Sequence, residues 1–307
     1  MSRKSHRQHL ALTLRLVAAS LGTTLALALP AIAADPDWQG VAQALGKSGT
    51  VMPQGVYRVG LPRSDLHVVL DGVELKPSLA LGSWLAFQPM DAKQTMVMGD
   101  LVLTEAEIGP VMKKLEESNI DITALHNHLF RAQPATFYMH VFAQGDAVAL
   151  AHTMHDALAL SGTPFTAAPA ATTPPKIDLD TAAIDTALGG KGAIAGGVYQ
   201  VGIPRAKPVT EQGMTVPPAM GSAEAINFQP TGSGKAAITG DFVLTANEVN
   251  PVLRALREHG IEVTALHNHM LDDEPRLFFM HFWANSDLKS LLDGLHAAIG
   301  NIDVAKG

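Results

Sequence analysis

The chain of 307 residues contains no cysteine. That absence excludes disulfides, thiolate metal ligands, a cysteine nucleophile and the lipid-modified cysteine of a lipoprotein. Also missing are a glycine-rich phosphate loop, a G-x-S-x-G elbow and an H-E-x-x-H helix, so the enzyme classes built on those motifs lose support. Positive charge is in short supply, with 22 Lys and Arg against 29 Asp and Glu and a formal net charge of -7. A surface of that sign repels phosphate backbones, so nucleic acid is not an expected partner, although acidity can concentrate cations.

What is present begins with Arg3, Lys4 and Arg7, followed by the apolar run Leu16 to Leu29 and the small residues Ala31 to Ala33. This is the pattern of an export signal spanning 1–33, cleaved after Ala33 or Ala34. The run is too short for a comfortable spanning helix, which needs roughly 20 apolar residues, so no membrane anchor is expected in the mature form. The leader has no Arg-Arg pair, which predicts passage across the membrane unfolded and acquisition of any metal outside. Its removal takes away four cations and no acid, moving the formal charge from -7 to -11. A soluble periplasmic or secreted protein is expected.

The remainder is a duplication. Asp100 to His128 and Asp241 to His269 align without a gap, with 16 of 29 positions identical. The match runs on until His140 falls on His281, and runs back to "GVYRVGLPR" (Gly55 to Arg63) and "GVYQVGIPR" (Gly197 to Arg205) with a one-residue shift. The expected domains are therefore 35–160 and 176–307, joined by a Pro, Ala and Thr-rich linker at 161–175.

Within the first unit, periodicity predicts a helix at Asp37 to Gly46 and strands at Val56 to Leu61, Leu85 to Gln88 and Thr95 to Leu103. A helix follows from Glu105 to Ser118, opened by the capping-box spacing Thr104-x-x-Glu107 and closed by Asn119, where the second unit has Gly260. The runs Ile120 to Phe130 and Thr136 to Gln144 read as a hairpin, and a last helix spans Asp146 to Leu160. The fold class is α+β: two homologous repeats, each an antiparallel sheet with helices on one face in ferredoxin-like order, packed as a pseudo-dimer.

Chemistry concentrates in histidine. Alternate strand residues share a face, so His126 and His128 are expected to project together, with His140 on the neighbouring strand about 5 Å away. Three imidazoles then converge on one cation at roughly 2.0 to 2.1 Å per Zn–N bond, leaving a position open. His267, His269 and His281 repeat the trio. Three neutral imidazoles suit a divalent transition metal such as zinc or copper, and nickel and iron are not excluded. Met96, Met98 and Met139 are read as core fillers, outside the site.

Other residues have plainer expectations. Glu107 and Glu248 are explained by the capping box, while Asp100 and Asp241 are read as turn or strand-edge groups before any role in orienting a histidine. Asn127 and Asn268 face away from the histidines, and Arg63 and Arg205 are expected to be solvated. His67, His152, His155, His259 and His296 occupy unmatched positions and are expected at the surface.

The runs "TALHNHLF…FYMHVFAQGD" and "TALHNHMLDDEPRLFFMHFWANSD", with "GDLVLTEAEI" and "GDFVLTANEV" upstream, resemble the LppY/LpqO family of exported bacterial proteins, whose shared domain has unknown function. The similarity covers nearly all of the mature chain. It implies export and a repeated domain, and supplies no reaction, substrate or catalytic residues. Some mycobacterial members are lipoproteins; this chain departs from them in having no cysteine.

The expected function is a metal- or small-ligand-binding module using a His-x-His plus His cluster in each repeat. A metal-dependent hydrolase stays open, because an ion with a free position can activate water. So does a metal-free module for a sugar, peptide or envelope component, walled by rings such as Trp84, Tyr138 and Trp283.

Overall fold

The computed structural model describes residues 36–91, 93–166 and 176–305. The expected signal peptide and the linker portion 167–175 lie outside the described residues. Among the described residues no helix is long and apolar enough to cross a membrane.

The protein is α+β, with seven α-helices and several antiparallel sheets among its described residues. In the first half, α1 (Trp38–Leu45) starts where the Asp37 carboxylate accepts the Gly40 N–H at 2.7 Å and stops at Gly46, whose φ of 77° favours glycine. Six strands build its main sheet: β1 (Thr50–Val51), β2 (Tyr57–Pro62), β3 (Gly82–Pro89), β4 (Thr95–Thr104), β5 (Asp121–His126) and β6 (Thr136–Gly145), with a small separate hairpin at Val69–Leu70 and Val73–Glu74. The short helix α2 (Pro77–Ala80) precedes β3, α3 (Glu105–Glu117) joins β4 to β5, and α4 (Ala147–Leu158) follows β6. The sheet order is β1-β2-β3-β4-β6-β5, so α3 carries the chain past the place that β6 later fills.

The second half repeats this with α5 (Thr181–Leu188), β7 (Ala193–Ala195), β8 (Val198–Pro204), β9 (Ala223–Gly232), β10 (Lys235–Thr245), α6 (Ala246–Glu258), β11 (Glu262–His267), β12 (Leu277–Asp287) and α7 (Leu288–Ile299). Its order, β11-β12-β10-β9-β8-β7, has the same neighbours. Both expected capping boxes form, at Thr104 with Glu107 and at Thr245 with Glu248. The residues that end these helices' turns, Asn119 and Gly260, have φ of 57° and 74°, the left-handed geometry that glycine and asparagine tolerate best.

Strand β4 is buried along both faces, which explains its nearly unbroken apolar sequence. Val97, Leu101 and Leu103 pack under α1, α3 and α4, whereas Met96 and Met98 belong to a core shared with Met220, Met270 and Phe279 of the second half. Hydrogen bonds cross between the halves as well. Thr123 Oγ1 donates to His269 O at 2.5 Å, Asn268 Nδ2 donates to Thr123 O at 3.0 Å, and Gln200 Nε2 donates to Ser78 O at 2.9 Å.

Three expectations need correction. Arg63 and Arg205 are not solvated: they are 1% and 9% exposed, because each closes the end of its sheet against the carboxylate of its own capping box. Arg63 pairs with Glu107 at 2.8 Å and Arg205 with Glu248 at 3.0 Å. The expected strand Ile120 to Phe130 stops at His126, after a bulge that inserts Thr123 between the pairs Ile122–Val141 and Ala124–His140. Of the expected linker, Thr163 is buried and Gly162 N–H bonds Glu107 at 2.7 Å, so the polar composition of 161–166 hides a packed segment.

Close packing of the sheets makes Gly240 a sensitive position. A Cβ there would meet Phe282 Cζ at 2.1 Å and the Ala225 carbonyl oxygen at 2.7 Å, and the backbone oxygen cannot swing aside. Gly240→Ala is expected to cost about 1–3 kcal/mol, as overpacking does. Gly202, where an added methyl would meet nothing within 4 Å, is the control: Gly202→Ala should stay within about 0.5 kcal/mol. Urea midpoints of the two variants measure the difference, and equal midpoints would contradict this account.

Candidate metal centre

The bulge at Thr123 sets the register of the site. Beyond it Ala124 pairs with His140 and His126 with Tyr138, so His126 and His140 are diagonal neighbours on one face of the sheet. The strand ends at His126, and His128 comes from the loop that follows. The second half repeats the device, with Ala265 opposite His281 and His267 opposite Phe279.

Each trio is brought together, and the two trios also meet. In the first, His126 lies 5.0 Å from His128 and 5.1 Å from His140, ring centre to ring centre. In the second, His267 lies 5.0 Å from His269 and 4.9 Å from His281. Across the halves the rings stack more closely: His126 on His267 at 3.4 Å, His128 on His281 at 3.7 Å and His140 on His269 at 3.7 Å. One cluster of six therefore replaces the two separate trios expected from the spacing. Neighbouring aromatic rings brace it, Tyr138 under His128 at 3.3 Å and Phe279 under His269 at 3.5 Å.

Backbone carbonyls fix the tautomer of three rings. Nδ1 faces Asn127 O in His126 at 3.4 Å, Asn268 O in His267 at 3.0 Å and Gly240 O in His281 at 3.0 Å. A carbonyl only accepts, so Nδ1 carries the hydrogen and Nε2 presents a lone pair. Of twelve buried side-chain polar atoms without a hydrogen-bond partner among the described residues, six are the Nε2 atoms of these histidines and two are Asp100 Oδ1 and Asp241 Oδ1. Buried polar groups are normally satisfied, at a cost of about 1–3 kcal/mol for each that is not. Here the exceptions collect in one place.

Asp100 and Asp241 are the residues that sequence reasoning placed wrongly. Neither is at a turn or a sheet edge; each lies in a central strand, paired with His140 and His281 respectively. Asp100 Oδ1 is 3.9 Å from His140 Nε2, and Asp241 reaches His269 Nε2 at 3.7 Å and His281 Nε2 at 3.8 Å. These separations are too long for hydrogen bonds but leave room for a shared partner. The available signal was strand parity: Asp100 sits in a run buried on both faces, which an acid enters only with a compensating partner.

Burial keeps the rings neutral. Loss of hydration lowers His126 to about 3, helped by the nearby His267 charge, and lowers His267 to about 4. It drives His128, His140, His269 and His281 well below the ordinary value, with mutual repulsion adding to it. The same desolvation raises Asp100 to about 7, against the pull of Arg58, and raises Asp241 well above a normal carboxyl, with repulsion from Glu224 and Asp100 adding to it. Ligand nitrogens of His126, His267, His269 and His281 all lie within 4.8 Å of one another, and so do those of His126, His128 and His140.

Among the described residues, the remaining histidines stay apart from this cluster. His155 Nδ1 is 2.9 Å from Leu45 O and His296 Nδ1 is 2.8 Å from Ala187 O, so these two tie neighbouring helices together, while His259 Nδ1, 2.8 Å from Ala255 O, closes the end of its own helix. His67 pairs with Glu74 on an exposed hairpin. Asn127 and Asn268 donate to the carbonyls of Leu129 and Met270, holding the loops that carry His128 and His269.

None of the curated proteins matches this sequence. Among solved structures, the chain is similar to a trimeric bacterial microcompartment shell protein, PduB, at 10% identity over 84% of this chain and 95% of that one, with a TM-score of 0.21. It is similar also to EtuB from Clostridium kluyveri, at 9% identity over 82% of this chain and 88% of that one, with a TM-score of 0.19. Scores this low transfer neither fold nor function. A family model described as Domain of Unknown Function (DUF1259) matches residues 39–160 and again 182–301. This finding replaces the LppY/LpqO assignment, which it does not support. With two matches that together cover most of its length, the chain belongs to the DUF1259 family, in two tandem copies.

Proposed function

We propose that the protein is an exported metal-binding module whose centre is built jointly by its two halves, with His126, His128, His140, His267, His269 and His281 as ligands. The observation that carries this reading is the set of six buried, unpartnered Nε2 atoms, on rings whose ligand nitrogens fall into two groups within 4.8 Å that share His126. Lone pairs on neighbouring nitrogens repel, and none of these six atoms has a hydrogen-bond partner among the described residues. A divalent cation turns that repulsion into coordination, and rings held neutral by burial need lose no proton to bind it. The carbonyls that hold Nδ1–H are the outer partners that orient metal-ligating imidazoles. An all-nitrogen set favours zinc or copper. Asp100 and Asp241 stand where they would stabilise the ion's charge. A metal-dependent hydrolase is the second reading, favoured by the same two carboxyls, which are placed to take a proton from water.

In fold, each half corresponds to a ferredoxin-like unit in permuted order. Strands β3-β4-β6-β5 supply its four-stranded sheet, with the strand that ends the usual order coming first. The equivalent pairs across the stacked rings make the whole a pseudo-dimer. Export to the periplasm or exterior follows from the basic and apolar leader, and fits acquisition of metal after translocation.

Two outcomes follow. For each histidine the folded pKa lies below the unfolded value of about 6.5, so the unfolded chain binds more protons and stability falls as the pH drops through that value toward 4. Raised carboxyls act in the opposite sense over that window: Asp100, Asp241, Glu211 and Glu224 hold protons in the fold that the unfolded chain releases. Six rings outnumber four carboxyls. The urea midpoint of chelator-treated protein should therefore decrease from pH 6.5 to pH 4.5, and a midpoint that rises toward acid would show that the rings are not neutral in the fold.

Metal binding itself is tested on protein purified without a histidine tag, stripped with EDTA and titrated with zinc. One or two ions per chain are expected by elemental analysis after desalting. His126→Ala combined with His267→Ala, which removes the central stacked pair, should weaken uptake at least tenfold. Zinc content equal in the variant and the parent would refute the assignment.

A further inference from the structure

The two halves differ beside the centre, and the difference is chemical. On the side of His128 and His281 a cavity of about 360 Å³ opens between the halves, within the range of roughly 300–1,000 Å³ for small-molecule pockets. At the equivalent place beside His140 and His269 the space is only about 10 Å³. The registers show why. Trp84 pairs with Asp100 as Ala225 pairs with Asp241, and Met98 pairs with Ala86 as Thr239 pairs with Asn227. Trp84 and Met98 line the small space, and Ala225 and Thr239 line the open one, which Trp84 also borders. Duplication thus produced one accessible face and one sealed face.

The wall of the open side is also selective. Its potential donors are largely committed to carbonyls: Tyr138 Oη to Ala80 O at 2.6 Å, Thr239 Oγ1 to Leu79 O at 2.6 Å, Asn227 Nδ2 to Leu79 O at 3.1 Å and Gln200 Nε2 to Ser78 O at 2.9 Å. The carbonyl oxygens of Asn227 and Gln200 accept no hydrogen bond from the described residues, and Asp100 Oδ1 and Asp241 Oδ1 are unpartnered. Against these acceptors stands one cation, Arg58, which lies 4.2 Å over the Trp84 ring and donates to Ala219 O, its only hydrogen bond among the described residues. A ligand for such a wall must bring several donors and also accept from a guanidinium. An anion has too few donors for this wall, and an organic cation meets Arg58. Neutral hydroxyls do both jobs.

We propose that this cavity binds a small, neutral, polyhydroxylated molecule, reaching the histidine centre from the His128–His281 side alone. The site shares the centre's walls with the metal reading, but its recognition rests on Asp100, Asp241, Asn227, Gln200 and Arg58.

The test is calorimetric titration of the purified mature chain, both EDTA-treated and zinc-loaded, with myo-inositol and D-glucose as polyol probes and succinate and putrescine as charged ones. A polyol is expected to bind one to one. Ala225→Trp and Thr239→Met each install the residue of the sealed side, so each should weaken that binding at least tenfold while zinc content stays at the parent level. Either variant alone suffices if the other does not fold, as judged by its urea midpoint. Absence of polyol binding in both forms, binding undiminished in a folded variant, or tighter binding of succinate or putrescine would overturn the proposal. Zinc uptake is read separately: polyol binding without it would retire the metal reading and leave this one standing, and the reverse holds.

Discussion

Six imidazole Nε2 atoms, buried between two sheets without hydrogen-bond partners among the described residues, are the constraint on which the rest of this structure depends. A neutral imidazole can be buried cheaply when one nitrogen donates and the other accepts. Here the donating nitrogen of three rings is satisfied by a carbonyl, and the Nε2 atoms of all six are buried without a partner among the described residues. Such an arrangement persists only if the surroundings hold it. The strand bulge, the asparagines that fix the loops of His128 and His269, and the aromatic rings beneath those two histidines all supply that support. Gly240 belongs to the same scaffold, since its carbonyl accepts from His281 and its missing side chain lets Phe282 and Ala225 close in.

Duplication is the means by which the centre is assembled. Each half brings its trio on the face of the sheet that its helices leave uncovered, and that face finds its cover in the other half. Equivalent residues then make equivalent reaches: Arg58 to Ala219 O and Gln200 to Ser78 O occupy the same place in the two repeats. Where equivalence was given up, at Trp84 against Ala225 and Met98 against Thr239, the two sides of the histidines differ in the space they leave. A duplicated gene permits this because one copy retains the packing while the other varies.

Much of this was legible in the sequence, and the limits were physical. Periodicity and capping signals located the main helices, because Thr104 with Glu107 and Thr245 with Glu248 act through neighbours in the chain. Parity brought His126 and His140 to one face. Nothing local announced the bulge at Thr123, which shifts the pairing partner, or that His128 would approach from a loop. Nor did spacing within one repeat say that the two trios would stack ring on ring, because that contact arises between elements in different repeats, far apart along the chain. Arg63 and Arg205 were misread for a related reason: their partners Glu107 and Glu248 had already been assigned to capping, and one carboxylate served both roles.

The stacked pairs also bear on how the centre would respond to a ligand. His126 and His267 lie 3.4 Å apart and His126 belongs to both groups of close ligand nitrogens, so an ion held by one trio would act directly on the rings of the other. Thr123 strengthens the link, since its hydroxyl bonds the backbone of His269 in the opposite half and its carbonyl accepts from Asn268. Anything that binds the folded cluster and not the unfolded chain stabilises both halves together, in proportion to the logarithm of its concentration over its dissociation constant. Separating the halves would leave each trio with its Nδ1 contacts but without its stacked partners, and the sheet face around it open to water. The cluster is thus both the chemical site and the seam of the molecule, and that shared role gives a physical reason for six histidines to stand in two matched sets of three.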